Sequence, residues 1–210
     1  MQKKLKHIAV CGNIGSGKTT LTEKVARHYG WIPLYESVDA NPYLEDFYED
    51  MTRWAFNLQV YFLNSRFRQI MEIRASDTPI IQDRTIYEDA YIFAANLYKS
   101  GHISDRDYAS YLDIFHSVIG FIDPPDLLIY LKADIPKLVA QIQKRGRSYE
   151  DAMRIDYLKN LNRHYDEWIQ NYREGRLLII DMNKLDFVER IEDFSFIVDK
   201  IDLELHSLFN

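Results

Sequence analysis

The sequence predicts an α/β fold, a five-stranded parallel sheet flanked by helices, on three observations. Short apolar runs alternate with helical stretches along the chain, and that alternation gives parallel strands joined by right-handed crossovers. The first run leads into Gly12-Asn13-Ile14-Gly15-Ser16-Gly17-Lys18-Thr19, which has the spacing G-x-x-x-x-G-K-[ST]. Thr20 then opens a stretch with Leu21, Lys24 and Val25 at helical spacing. Strand, glycine-rich loop and helix in that order define the P-loop NTPase fold.

The first strand covers 5–10, and the first helix 20–28. Gly30 and Pro33 punctuate a second strand over 31–36 that ends in Glu36, followed by Ser37. A short helix starts at Asn41-Pro42-Tyr43 and reaches Tyr48, and a longer one spans 53–74. The third strand, 79–82, ends in Asp83-Arg84, and helices over 87–99 and 104–119 follow, separated by Ser100-Gly101. The Pro124-Pro125-Asp126 turn precedes a fourth strand, 127–131, and a helix over 135–143. Lys144 to Asp151 is read as a lid. Beyond it come a long helix with Tyr157, Leu158, Leu161, Tyr165 and Trp168, a fifth strand over 177–180, and a last helix over 187–208. No repeat or linker interrupts this series, so 1–210 reads as one domain, and 47% hydrophobic content suffices for its core.

Each position of the loop has a physical task. Glycines permit positive φ, so backbone N–H groups turn inward and cradle the phosphates of ATP or GTP, helped by the dipole of the following helix. Lys18 reaches the β and γ phosphates, and the Thr19 hydroxyl is offered to Mg²⁺. In open α/β sheets ligands sit beyond the carboxyl ends of strands. Glu36 and Asp83 both lie at such ends, one facing the phosphate loop and the other placed for the metal, with Arg84 set for phosphate oxygens. Gln59 and Arg66, seven apart, share a helix face with aromatics. Arg145-Gly146-Arg147 puts two guanidiniums around a hinge residue, as a closing lid needs.

A net charge of −6 argues against nucleic acid or a membrane surface as partner. Lys3, Lys4 and Lys6 precede an apolar run that stops at Gly12, too short for a secretory segment, and no run is long enough to span a membrane. The expectation is a soluble, cytoplasmic protein. The single cysteine, Cys11, reads as a small packing residue, and the six histidines show no metal-ligand spacing.

Asn183-Lys184-Leu185-Asp186 matches N-K-x-D, the guanine-reading string of switch GTPases. No glycine has an aspartate three residues before it, so the D-x-x-G loop of that class is missing.

The ordered set of motifs resembles the deoxynucleoside kinase family, in particular its bacterial deoxyadenosine/deoxycytidine kinase branch. It comprises the P-loop, Glu36, Asn41-Pro42-Tyr43-Leu44, Phe47-Tyr48, Arg53 to Gln59, Ser65-Arg66-Phe67, Gln82 to Asp89 and Arg145-Gly146-Arg147. The resemblance implies that Glu36 is the general base for the acceptor 5′-hydroxyl, with Arg84 holding it and the phosphates. It implies that Tyr48 and Glu150 bond the sugar 3′-hydroxyl. Gln59 reads the base edge, beside the charged pair Arg66 and Asp89. Arg145 and Arg147 close on phosphate, and Asp186 and Phe187 lie near the donor base. ATP, Mg²⁺ and a homodimer follow from the same resemblance. Thr85 departs from the family's usual serine but keeps the hydroxyl. A thymidylate-type kinase, which phosphorylates a nucleotide, is the alternative. Glu36 would repel the phosphate of such an acceptor.

Overall fold

The computed structural model describes residues 5–36, 41–147, 150 and 153–209. Lys3, Lys4, Ser37 and Asp151, named above, lie outside them, as do Ser148 and Tyr149 within the expected lid. Its sheet has five parallel strands in the order β2-β3-β1-β4-β5. They are β1 (His7–Cys11), β2 (Ile32–Leu34), β3 (Ile80–Asp83), β4 (Leu127–Lys132) and β5 (Arg176–Asp181). β1 is central and wholly buried. Its alternate residues feed two cores, Ile8 and Val10 on one face, Ala9 and Cys11 on the other, the two-residue period of a pleated strand. Cys11 is the packing residue its position predicts, and burial pushes its thiol well up.

Helices α1 (Lys18–Tyr29), α7 (Ile135–Arg145) and α9 (Ile191–Phe209) contribute to the Ile8 core. The Ala9 core draws on α3 (Met51–Ala75), α6 (Asp105–Ile119) and α8 (Ile155–Asn171). A third cluster joins α2 (Leu44–Glu49) to the start of α3 through Leu44, Phe47, Ala55 and Leu58. Leu44, Phe47 and Leu58 of this cluster also line the main cavity.

Three local departures from the expected elements shape the site. β2 stops at Leu34, because the Tyr35 carbonyl accepts from Gln69 Nε2 of α3 at 2.6 Å instead of continuing the ladder. Glu36 therefore stands on the bend after the strand. The helix expected over 87–99 is three pieces: α4 (Ile86–Glu88), a π-turn over Asp89–Ala94, and α5 (Ala95–Lys99). The last helix starts at Ile191, not at 187. Asp186 Oδ1 accepts from the Glu189 amide at 3.2 Å, and Asp193 Oδ2 accepts from the Asp186 amide at 2.7 Å. These bonds hold 186–189 as a turn and bury Phe187.

Candidate active site

The loop between β1 and α1 has the conformation its glycines permit. At Gly12 φ is +148°, and a Cβ there would lie 2.8 Å from the Leu131 carbonyl. At Gly17 φ is +93°, and the Phe187 ring lies 3.2 Å from where a Cβ would be. Phe187, Asp186, Gly15 and Thr20 line one small cleft of about 60 Å³, the position expected for a donor base. Asn183 is engaged elsewhere, its Oδ1 accepting from the Asp134 amide at 2.9 Å, so it is not presented as a guanine reader.

Lys18 is buried and donates from Nζ to the Asn13 carbonyl at 3.0 Å. Burial, with Arg84 nearby, lowers its pKa to about 8. The Asn13 side chain accepts from the Ile14 amide at 2.7 Å and donates to the Leu158 carbonyl at 3.0 Å, which ties the loop to α8. Ser16 Oγ is buried without a hydrogen-bond partner. Thr19 Oγ1 donates to Asp83 Oδ2 at 2.5 Å, while Asp83 Oδ1 is buried and unpartnered. A hard oxygen pair with one unsatisfied carboxylate oxygen beside a phosphate loop suits Mg²⁺.

Next to this pair opens a cavity of about 450 Å³, within the range of small-molecule sites. Lys18, Thr19, Glu36, Tyr48, Gln59, Asp83, Arg84, Asp89, Arg145, Arg147 and Glu150 all reach it. So do Ile14, Leu44, Phe47, Phe62, Phe93 and Tyr157, which give it apolar walls. Gln59 is 2% exposed and its Oε1 has no hydrogen-bond partner.

Arg66 is the hub. It is 1% exposed, and its Nη2 donates to Glu36 Oε1 at 3.0 Å, its Nε to Asp89 Oδ2 at 3.2 Å, and its Nη1 to the Asp83 carbonyl and to Gln69 Oε1. Arg84 Nε lies 3.2 Å from the same Glu36 oxygen but without hydrogen-bond alignment, and its guanidinium sits 4.1 Å above the Phe93 ring. Burial alone would raise the Glu36 carboxyl; Arg84, Arg66, Lys18 and Arg147 outweigh it and hold the group below its ordinary value. Asp89 goes the other way. Its burial exceeds the opposing pull of Arg66 and Arg84 and lifts it to about 7.

Arg145 and Glu150, expected on phosphate and on sugar, meet each other. Arg145 Nε donates to Glu150 Oε2 at 3.2 Å, and Nη2 to Oε1. Opposite charges five residues apart thus pair within the stretch expected to be a lid. Two residues of the site were not anticipated. Gln69 holds both Arg66 and the carbonyl before Glu36, one helical turn from Arg66. Glu88 is wholly buried and bonds the loop at Gly12. Its signal was in the sequence, since Thr85-Ile86-Tyr87-Glu88 is a capping box.

A phosphate loop, a threonine–aspartate pair and a nucleoside-sized cavity lined by four cations, of which Lys18 and Arg84 are buried, define a P-loop phosphotransferase. The deoxynucleoside kinase family model matches residues 8–206. The chain is 36% identical to the deoxyadenosine/deoxycytidine kinase of Bacillus subtilis, over 95% of this chain and 93% of that one. It is 38% identical to a deoxyguanosine kinase of Lactobacillus johnsonii, over 96% and 93%. The structure of deoxyadenosine kinase from M. mycoides with bound dATP superposes with a TM-score of 0.83 at 30% identity, covering 94% of this chain and 99% of that one. The chain belongs to the deoxynucleoside kinase family, whose members move a phosphoryl group from a nucleoside triphosphate to a deoxynucleoside.

Proposed function

We propose that this kinase phosphorylates the 5′-hydroxyl of deoxyadenosine first, deoxycytidine next, deoxyguanosine more weakly and thymidine worst, with ATP and Mg²⁺. The observation that carries this reading is the Arg66 clamp, which sets Glu36 and Asp89 around a cavity floored by the Gln59 amide. Glu36 orients the acceptor hydroxyl. As a carboxylate held below its ordinary pKa it is a weak base, so it takes the proton late, once the bond to phosphorus has formed. Lys18, Arg84 and Arg147 supply positive charge around the moving phosphoryl group, and Arg145 joins them when Glu150 turns to the sugar with Tyr48. Thr19 and Asp83 would hold Mg²⁺, which supplies charge neutralisation at the β and γ phosphate oxygens.

Adenine and cytosine each offer an amino donor beside a ring-nitrogen acceptor, which a single amide at Gln59 can pair. Asp89 accepts a second bond from the amino group when ionised. Thymine and guanine present a carbonyl there instead, and unpaired polar groups reject a ligand by up to about 10⁴-fold. The deoxyadenosine-over-deoxycytidine order rests on the likeness of Gln82 to Asp89 to the bacterial branch. The test is kcat/KM for the four deoxynucleosides at saturating ATP. Thymidine as the best substrate would overturn the reading.

The raised Asp89 adds a pH dependence. Below about 7 Asp89 is protonated and donates to a carbonyl; above it, the carboxylate accepts from an amino group. Arg66 from α3, with Arg84 and Glu36 after β3 and β2, are the charged groups that set this titration, with Glu88 beside it and Tyr111 of α6 facing it. The ratio of kcat/KM for deoxyadenosine over deoxyguanosine therefore rises with pH through about 7. A flat ratio between pH 6 and 8.5, or an unaltered slope in Asp89→Asn, would remove Asp89 from base selection.

The same proposal covers assembly and setting. Phe67 and Met71 on α3, and Ile114 and Phe121 on and after α6, are exposed apolar residues on two helices that pack together, and they support a homodimer through this face. The domain is 1–210 with a lid over about 144–151. Among the described residues no helix is long and apolar enough to cross a membrane; the lone buried Cys11 suits a cytoplasmic enzyme.

A further inference from the structure

Glu88 lies outside the cavity, has no exposed surface, and is hydrogen-bonded at every side-chain oxygen. Oε2 accepts from the Thr85 amide at 2.7 Å and from Thr85 Oγ1 at 3.2 Å. Oε1 accepts from the Gly12 amide at 3.3 Å and lies 2.7 Å from Tyr165 Oη. The same Tyr165 oxygen lies 2.8 Å from the Gly12 carbonyl. One residue of the phosphate loop is thus held at both its N–H and its C=O.

The proton count of this cluster does not close with an ionised Glu88. Tyr165 has one hydroxyl hydrogen and two acceptors at full hydrogen-bond distance, both buried. If that hydrogen goes to the carboxylate, the Gly12 carbonyl faces a bare phenol oxygen at 2.8 Å. A proton on Glu88 Oε1 resolves the conflict. Oε1 then donates to Tyr165 Oη, Tyr165 donates to the Gly12 carbonyl, and the Gly12 amide and Thr85 keep their acceptors. Burial pushes the Glu88 carboxyl up, more than Arg84 and Lys18 pull it back.

We propose that Glu88 carries a proton and is a positioning residue for the donor site, fixing the Gly12 peptide directly and through Tyr165. Gly12 precedes Asn13, whose carbonyl receives Lys18 Nζ, so a tilt of the Gly12 peptide displaces the lysine and the N–H cradle together. Glu88 also adjoins Asp89 at the start of the π-turn, and Tyr165 belongs to the helix that follows the lid. The cluster thus joins the donor loop, the base-reading turn and α8 at one point. It rests on the family assignment but not on the base preference proposed above.

Three variants and one spectrum test it. Glu88→Ala removes the relay and raises the ATP dissociation constant by about tenfold or more, while the KM for deoxynucleoside stays within about twofold. Tyr165→Phe, which changes one atom and should fold, shifts ATP in the same direction. Glu88→Gln keeps a donor toward Tyr165 and an acceptor for Thr85, losing only the long Gly12 bond, and stays within about threefold of wild type. Infrared difference spectra of wild type against Glu88→Gln contain a carboxylic-acid C=O band at neutral pH. The proposal fails if Glu88→Gln is as damaged as Glu88→Ala. It fails equally if Tyr165→Phe leaves ATP binding unchanged or moves both substrates alike, or if the difference spectrum contains only carboxylate bands.

Discussion

Glu36→Gln is expected to fold, to bind deoxynucleoside and ATP, and to lose about 10²- to 10⁴-fold in kcat. The amide is isosteric and still accepts from Arg66 Nη2, so the clamp is kept at one oxygen. On the proposed reading, what goes is the charge that receives the hydroxyl proton and orients that hydroxyl toward phosphorus. Loss of one carboxylate also leaves Arg66 and Arg84 less neutralised, which tightens phosphate in the ground state and gives nothing to the chemical step. Single-turnover rates measured beside equilibrium binding separate these effects. A variant that kept more than half of its kcat would place the proton acceptor elsewhere.

Arg66→Met is expected to cost about 3–5 kcal/mol of stability, because removing one member of a buried ion cluster leaves the others uncompensated. The group is 1% exposed, and its loss strands Asp89 at 2% exposure and the Asp83 carbonyl. Glu36, at 16% side-chain exposure, recovers part of its hydration and keeps Arg84. Urea denaturation read by fluorescence measures the change, and turnover falls with it, because Glu36 and Asp89 lose their common anchor. Arg66→Met with Asp89→Ala should recover a share of the loss, since the stranded carboxylate is gone. If the single change moved the unfolding midpoint by less than the equivalent of about 1 kcal/mol, water would be screening the cluster, as it does at surface pairs.

The two expectations show how far the sequence reached. The succession of strands and helices along the chain, the phosphate loop and the two residues of the threonine–aspartate pair were legible because they are local: a spacing, an apolar run and the residue at its end. The resemblance paired Arg66 with Asp89, and the two do pair. That Arg66 also grips Glu36, thirty positions earlier in the chain, depends on how α3 packs beside β3, which no periodicity states. The early end of β2 was hidden for the same reason, since it comes from Gln69 capturing a carbonyl on another element. The π-turn at Asp89 left no mark in the apolar pattern, which continues through Ile92, Phe93 and Leu97. Arg145 and Arg147 were expected near the phosphates and do line the cavity, but the Arg145–Glu150 pair was not foreseen, because both residues had been given partners outside the chain. Glu88 could have been found. Its capping box lies in the sequence as Thr85-Ile86-Tyr87-Glu88, between the strand-end pair Asp83-Arg84 and Asp89.

Among the described residues, Arg84 is the one non-glycine with a positive φ, at 69°. A left-handed arginine costs about 1–2 kcal/mol relative to glycine at the same place. The backbone accepts it because the Arg84 amide donates to the Val10 carbonyl at 2.9 Å and the side chain is pinned over Phe93. The consequence concerns the engineering of heat resistance. Glycine would relieve that torsion but would strip a buried cation from Glu36 and from the Phe93 ring, a loss larger than the relief, so a screen for thermal tolerance would keep the arginine. The strained torsion is thus locked in by the side chain it carries, so a hardened version of this kinase has to gain its stability at a distance from the β3–α4 junction.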